Sequence, residues 1–482
     1  MRFIGNDPNI LDAFYTATAD GSIAAGKPVL VTAAGKVKAI AETAASQAAG
    51  TPVEISGSSL INFGAAYDSA NQKVVVVYRD LTNSSYATAA VATVDNSDNS
   101  VSFGTPVVFN SGTTTQLGAS YDTNAGKIVA VYRDFGNSQY GTAIVGTVSG
   151  TSISFGSEAV YNSATSAENH IVYDSTAQKH VIVYHDGTNL NAIVGTVSGT
   201  SISFGSEATV SANANVGVPD VVYDSGNDKT VVFYVDNGDS QKGKAKVGTV
   251  SGTSISFGTA AEFEGGTTLR ISAAYDSSAG KVVVAYAVSS TGKAAVGTVS
   301  STSISFGTAV QFEAGAIQDT TTSYDASAGK IVIAYEDDAN SDYGTVIAGA
   351  VSGTSISFET ALVIENSATD ESGSVYDASA ERVVIFYEDE GDSNKGKSVV
   401  FQAASTSTNV TTENYIGITD RAYTDGQDAT VAVVGCIDRN QTSLTAGQQY
   451  FVQGNGTLST TAGDPSVLAG TAISATELVV KE

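Results

Sequence analysis

Short apolar runs separated by polar turns fill most of this chain, and two kinds of run recur. Segments such as "KIVAVYRD" (127–134) are apolar on both faces, the pattern of a strand covered on both sides. Segments such as "SISF" (152–155) alternate, with Ile153 and Phe155 on one face and Ser152 and Ser154 on the other. A Tyr-Asp pair followed by a short loop ending in Lys or Arg marks each copy of a larger unit. It occurs at Tyr67-Asp68, Tyr121-Asp122, Tyr173-Asp174, Tyr223-Asp224, Tyr275-Asp276, Tyr324-Asp325 and Tyr376-Asp377, seven copies spaced 49 to 54 residues apart. Each unit reads as four strands, A to D: in the second copy A is "LGASYD", B is "KIVAVYRD", C is "GTAIVGTV" and D opens with "SISFG".

Four-stranded units at this period predict an all-β fold, a seven-bladed β-propeller. The seventh copy stops after strand C ("KSVVFQAAS"), while an unpaired D-like segment, "GTPVEI" at 50–55, precedes the first. An N-terminal strand that completes the last blade would close the ring and remove its exposed edges. The stretch "VGTVSGTSISFG" (145–156, 194–205, 247–258) is then the end of C, a tight turn and the start of D. Gly150, Gly199 and Gly252 supply the positive φ of that turn, and Ser301 replaces the glycine in a later copy, where strain is expected.

Alternating strand direction sends the A–B and C–D loops to one face and the B–C and D–A loops to the other. The A–B loops hardly vary ("YDSAN", "YDTNAG", "YDSSAG", "YDASAG"), whereas the B–C loops differ in every copy ("RDLTNSSY", "HDGTN", "VDNGDSQKGK", "EDDANSDY"). Binding residues favour loops on a rigid scaffold, so the varied face is the expected ligand surface. Residues 1–40 and 405–482 lie outside the repeats (41–404). "AAGKPVLVTAAGKVKAI" near the N-terminus matches "TAGQQYFVQGNGTLST" near the C-terminus, so the two ends are expected to form one small β-rich anchoring domain into which the propeller is inserted.

Composition narrows the function. Acidic residues outnumber basic ones 49 to 23, a net charge of −26 that repels nucleic acid and anionic lipid. One cysteine, Cys436, excludes an internal disulfide or a cysteine-based zinc cluster. The first residues, "MRFIGNDPNILDAFY", show no signal peptide, and no apolar run approaches the roughly 20 residues of a membrane-spanning helix.

The C-terminal stretch "ENYIGITDRAYTDGQDATVAVVGCIDRNQTSLTAGQQYFVQGNGTLST" resembles β modules of virion structural proteins in tailed phages, marine ones especially, and the "GTVSGTSISFG" repeats are similar to segments of such proteins. The resemblance implies a non-enzymatic fibre, tail or capsid-decoration component. It would assemble in the host cytoplasm, stand exposed on the virion as a homo-oligomer held to other virion proteins, and contact a host-surface glycan or protein. A sialidase-like propeller enzyme and a pure capsid cement protein are the alternatives.

Candidate binding residues cluster at the varied ends of the B strands. Arg79 and Arg133 occupy equivalent positions, followed by His185, Val235, Ala287, Glu336 and Glu388 in later copies, which assembles no arginine cluster of sialidase type. One residue further on come Asp80, Asp134, Asp186, Asp236, Asp337 and Asp389, with Val288 the exception. These aspartates either hold a Ca²⁺ ion or cap their own loops. All three histidines, His170, His180 and His185, fall in the third copy. A hairpin would bring His170 and His185 near Asp186, but two histidines without a third ligand make a weak metal site. No motif implies an organic cofactor.

Overall fold

The computed structural model describes residues 14–212 and 219–481, which divide into two compact units. Ser46–Ala404 is one; the two chain ends form the other.

The larger unit is the seven-bladed propeller. In blade 2, strand A is the latter part of Val107–Asp122, B is Lys127–Asp134, C is Tyr140–Ser149, and D is split into Ser152–Phe155 and Ala159–Thr165, all antiparallel. The central residues of every B strand are buried, because neighbouring blades cover both faces. Closure follows the N-terminal strand. Lys397 and Ser398 pair with Glu54 and Val53, and Phe401 and Gln402 with Ala49 and Ala48, so residues 48–59 are strand D of blade 7.

The repeated twelve residues form the joint between blades. The glycine after each "SISF" lies under the C–D turn of the next blade: a Cβ built on Gly156 would fall 2.0 Å from the carbonyl oxygen of Thr200, and on Gly205 1.7 Å from that of Thr253. Gly50, on the donated strand, meets Asn99 of blade 1 in the same way. Blade 6 carries Glu359 at this position, and blade 7, its neighbour, has no C–D turn; Glu359 pairs with Lys330 instead. The turn residue Ser301 adopts φ 57°, the left-handed conformation its glycine counterparts take.

The Tyr-Asp signature is equally structural. Each Asp accepts N–H groups from its own A–B loop, as Asp68 does from Ala70 and Asn71, both at 3.0 Å. In five blades the Tyr hydroxyl bonds to the loop of the preceding blade: Tyr275, for one, accepts from the Gly226 N–H at 3.1 Å, and Tyr376 from that of Ser327 at 3.1 Å.

In the second unit N- and C-terminal strands interleave in one sheet, in the order Phe14–Thr18, Asp428–Ala432, Tyr415–Thr419, Pro28–Val31, Val37–Ala39. A second sheet is built from C-terminal residues alone. The boundary falls at 45/46 rather than 40/41, because Glu42–Ala45 pairs with Ser405–Thr408 as a two-stranded ribbon of this unit.

Candidate functional site: the channel mouth on the varied face

Each A strand enters from the varied face, and in six blades the described residues include a bulge near its start. The residue six places before the Asp of Tyr-Asp has positive φ in six blades: Asn62 (55°), Gln116 (56°), Glu168 (50°), Arg270 (52°), Asp319 (43°) and Glu371 (51°). The blade 4 counterpart, Val218, lies outside the described residues. None is glycine, so each left-handed backbone costs about 1 kcal/mol or more. The conformation is constant around the ring while the side chain changes from blade to blade.

These residues and their neighbours form a polar cycle around the channel. Asn62 donates to Glu371 (2.8 Å) and accepts from the Gln116 N–H (3.1 Å); Gln116 donates to Glu168 (2.6 Å). His170 Nδ1 lies 3.3 Å from Asp220 Oδ1, whose other oxygen accepts from the Ala273 N–H (2.7 Å). Arg270 lies 3.5 Å from Asp319, and Ser372 donates to the Asp319 carbonyl. All seven inner strands contribute to the channel below, a cavity of about 250 Å³.

The mouth is electrostatically lopsided. On the blade 6–7 side, ligand oxygens of Asp319, Glu336 and Asp370 lie within 4.8 Å of one another, a spacing compatible with a divalent cation. Burial and the neighbouring Asp370 push Asp319 up to about 7, against the pull of Arg270. Burial and Asp319 push Glu336 up to about 9. Burial likewise raises Glu388 to about 7, opposed by its bond to Asn394. At the equivalent B-strand position blades 1 and 2 present Arg79 and Arg133. Burial raises Glu168, with His170 and Arg133 pulling the other way. His170 also ends above its ordinary value: burial lowers it, but Asp220 and Glu168 prevail.

The sequence-level candidates fall into two groups. Five of the B-strand aspartates close their own B–C loops with a side-chain oxygen. Asp80 accepts from Thr82 and Asn83 (both 3.0 Å), Asp134 from Asn137 (3.2 Å), and Asp186 from Thr188 and Asn189 (both 2.7 Å). Asp236 accepts from Gly238 (2.9 Å) and Asp389 from Asp392 (3.2 Å). Asp337 occupies the same capping position, and burial raises it. Acidic groups whose oxygens lie close enough to share a cation are Asp319, Glu336 and Asp370, and Glu336 with Asp338 and Asp342. Arg79 and Arg133 remain at the varied face. A bulge between Ala167 and His170 sets the register that places His170 opposite Val183, and its ring reaches Asp220 of the next blade. His185 is buried and accepts from the Gly187 N–H (3.0 Å).

One arrangement away from the channel mouth resembles catalytic machinery. Ser120 Oγ lies 2.8 Å from His180 Nδ1, and His180 Nε2 3.5 Å from Asp122, which superficially resembles a nucleophile relay. All three are buried between blades 2 and 3, where burial drives His180 below its ordinary pKa. Arg79, Arg133 and Arg270 bond to Ser85, Gln139 and Gln318 respectively and do not converge on one ligand. The gap lined by Asp319, Glu336 and Asp370 holds about 10 Å³, room for one water and no sugar ring.

No protein-family model matches the chain, and no curated protein matches it. Among solved structures it is similar to a mutant NanB sialidase from Streptococcus pneumoniae (8% identity, 71% of this chain and 68% of that one, TM-score 0.42). It is similar also to the leech intramolecular trans-sialidase (10%, 74% and 68%, TM-score 0.41) and to Sqt1 of Saccharomyces cerevisiae (8%, 74% and 100%, TM-score 0.45). None of these likenesses carries an activity to this chain.

Proposed function

We propose that this chain is a non-enzymatic structural protein of a tailed-phage particle, displaying its propeller so that the varied face contacts a host-surface glycan or protein. The supporting observation is the bulge ring, where one strained backbone conformation is repeated and carries a different polar or charged side chain in each described blade. A fixed frame with variable chemistry suits recognition. A catalytic centre would instead concentrate on one constellation. The terminal unit has a core of its own and surrounds an apolar hollow of about 540 Å³ with exposed Phe14, Tyr15 and Val434, which suits attachment to other particle proteins or to further copies of this chain.

Antibody labelling of intact particles in the electron microscope tests the display role. Label on the particle exterior is expected, and its absence from purified particles would overturn the reading. Complete regular occupancy of the capsid lattice, with no binding to host cells, would favour a cement protein. Release of sugar from host polysaccharide by the purified chain would make it an enzyme.

A further inference from the structure

Blades 1 and 2 differ from the rest of the varied face in how their cations are used. Most cations of blades 4, 5 and 7 are ion-paired: Lys242 lies 3.0 Å from Glu262, Lys244 2.9 Å from Asp236, Lys293 3.2 Å from Glu264, and Lys395 2.6 Å from Glu54, while Lys246, further down its strand, donates to the Val210 carbonyl. Lys397 pairs with Asp389 and Arg270 with Asp319. Arg79 and Arg133 have no carboxylate within ion-pair distance among the described residues. Each donates once, to a neutral oxygen of its own loop: Arg79 Nη2 to Ser85 Oγ at 3.1 Å, Arg133 Nη2 to Gln139 Oε1. The Nε of each is buried without an acceptor. Burial lowers the Arg133 pKa, and the more distant Glu168 offsets this only in part. Partly buried guanidiniums without an adjacent counter-charge are unfavourable unless something else supplies the anion.

The apolar character is local too. The residue after each B-strand Asp is Leu81 in blade 1 and Phe135 in blade 2, 38% and 41% exposed, where later blades carry Gly187, Asn237, Asp338 and Glu390. Arg133 stacks over Phe135 at 4.7 Å, which holds the ring in place beside the charge. The loops around them, "LTNSSY" and "FGNSQY", are otherwise hydroxyls and amides.

We propose that this part of the varied face binds an acidic polysaccharide, with Arg79 and Arg133 pairing with its carboxylates and Leu81 and Phe135 packing on its sugar rings. The inference rests on the reading of the varied face as the binding surface. A forked guanidinium matches a carboxylate, hydroxyls and amides match a polyol, and an exposed ring matches the apolar face of a sugar. A protein partner fits less well, because two apolar tips are far from the apolar centre of a protein interface of ordinary size.

Polygalacturonate, dextran and polyglutamate, offered to the full-length chain over a salt series, are the probes. Tighter binding to polygalacturonate than to either control is expected, weakening with salt and falling at least tenfold in R79Q/R133Q. Leu81→Ser with Phe135→Ser, at half-exposed side chains outside the core, should weaken it without lowering the melting temperature, and R79K/R133K should retain more of it than R79Q/R133Q. Equal binding to polyglutamate would overturn the polysaccharide assignment. Unchanged binding in both double variants would overturn the location. Binding to dextran alone would sink this inference and leave the varied-face reading intact. Loss of polygalacturonate binding only on uniform-face substitution (Asn124→Lys) would overturn both.

Discussion

The carbonyl oxygen of Thr151 stands 1.9 Å from where a Cβ on Gly104 would be, so the end of one blade's D-strand repeat is shaped to the turn of the next. Because the obstacle is backbone, it cannot rotate away. Gly104→Ala should therefore destabilise the propeller by about 2–4 kcal/mol. Glu359→Gly, at the joint without a turn, should change stability by about 1 kcal/mol or less, since it removes only a partly exposed ion pair. Urea unfolding of the two variants checks the contrast. Equal losses would mean the repeat is not an interblade joint.

The hydroxyl of Tyr275 holds the blade 4 loop through Gly226. Tyr275→Phe should cost about 1 kcal/mol or less and increase amide exchange at Gly226 more than at loops of other blades. Unaltered exchange at Gly226 would contradict the latch.

The carboxylates between blades 6 and 7 predict a pH dependence of definite sign. Glu336 and Asp319 are raised in the folded chain, to about 9 and about 7. The stability they contribute is full below their unfolded values near 4 and is lost as pH rises through the folded ones. Glu336→Gln should leave the melting temperature nearly unchanged at pH 5 and raise it at pH 9. A larger gain at pH 5 than at pH 9 would contradict this assignment.

His180 should act in the opposite direction. Burial lowers its folded pKa below the unfolded value of about 6.5, so its share of stability is present above that pH and lost as pH falls through the folded value. His180→Gln, which can still bond Ser120, should reduce the acid sensitivity between pH 7 and pH 5 in thermal melts. An unchanged slope would show that the neutral ring is not what acid disturbs.

The architecture was legible because its signals are repeated and local. The Tyr-Asp pair marks every A–B loop, Gly150 and its counterparts mark the turn, and the missing strand after "KSVVF" with the spare one at 50–55 gives the closure. The bulge ring was not. Positive φ is usually advertised by Gly or Asn, and here it falls on Gln116, Glu168, Arg270, Asp319 and Glu371, held by pairing on both sides. A constant offset of six residues from the Tyr-Asp aspartate was the available signal, and it shows as polar residues in six copies. The partnership of His170 with Asp220 was equally hidden, since it joins different blades and depends on a register shift.

The division between a binding face and a structural face is tested most directly by a panel of immobilised bacterial-surface polysaccharides. The full-length chain, Gln116→Ala/Glu371→Ala at the bulge ring, and Ala70→Lys/Asn124→Lys on the uniform face are compared at matched folded concentration. The account predicts that the unaltered chain and the uniform-face variant retain the same saccharides and that the bulge-ring variant loses them. Loss in the uniform-face variant with retention in the bulge-ring variant would contradict it.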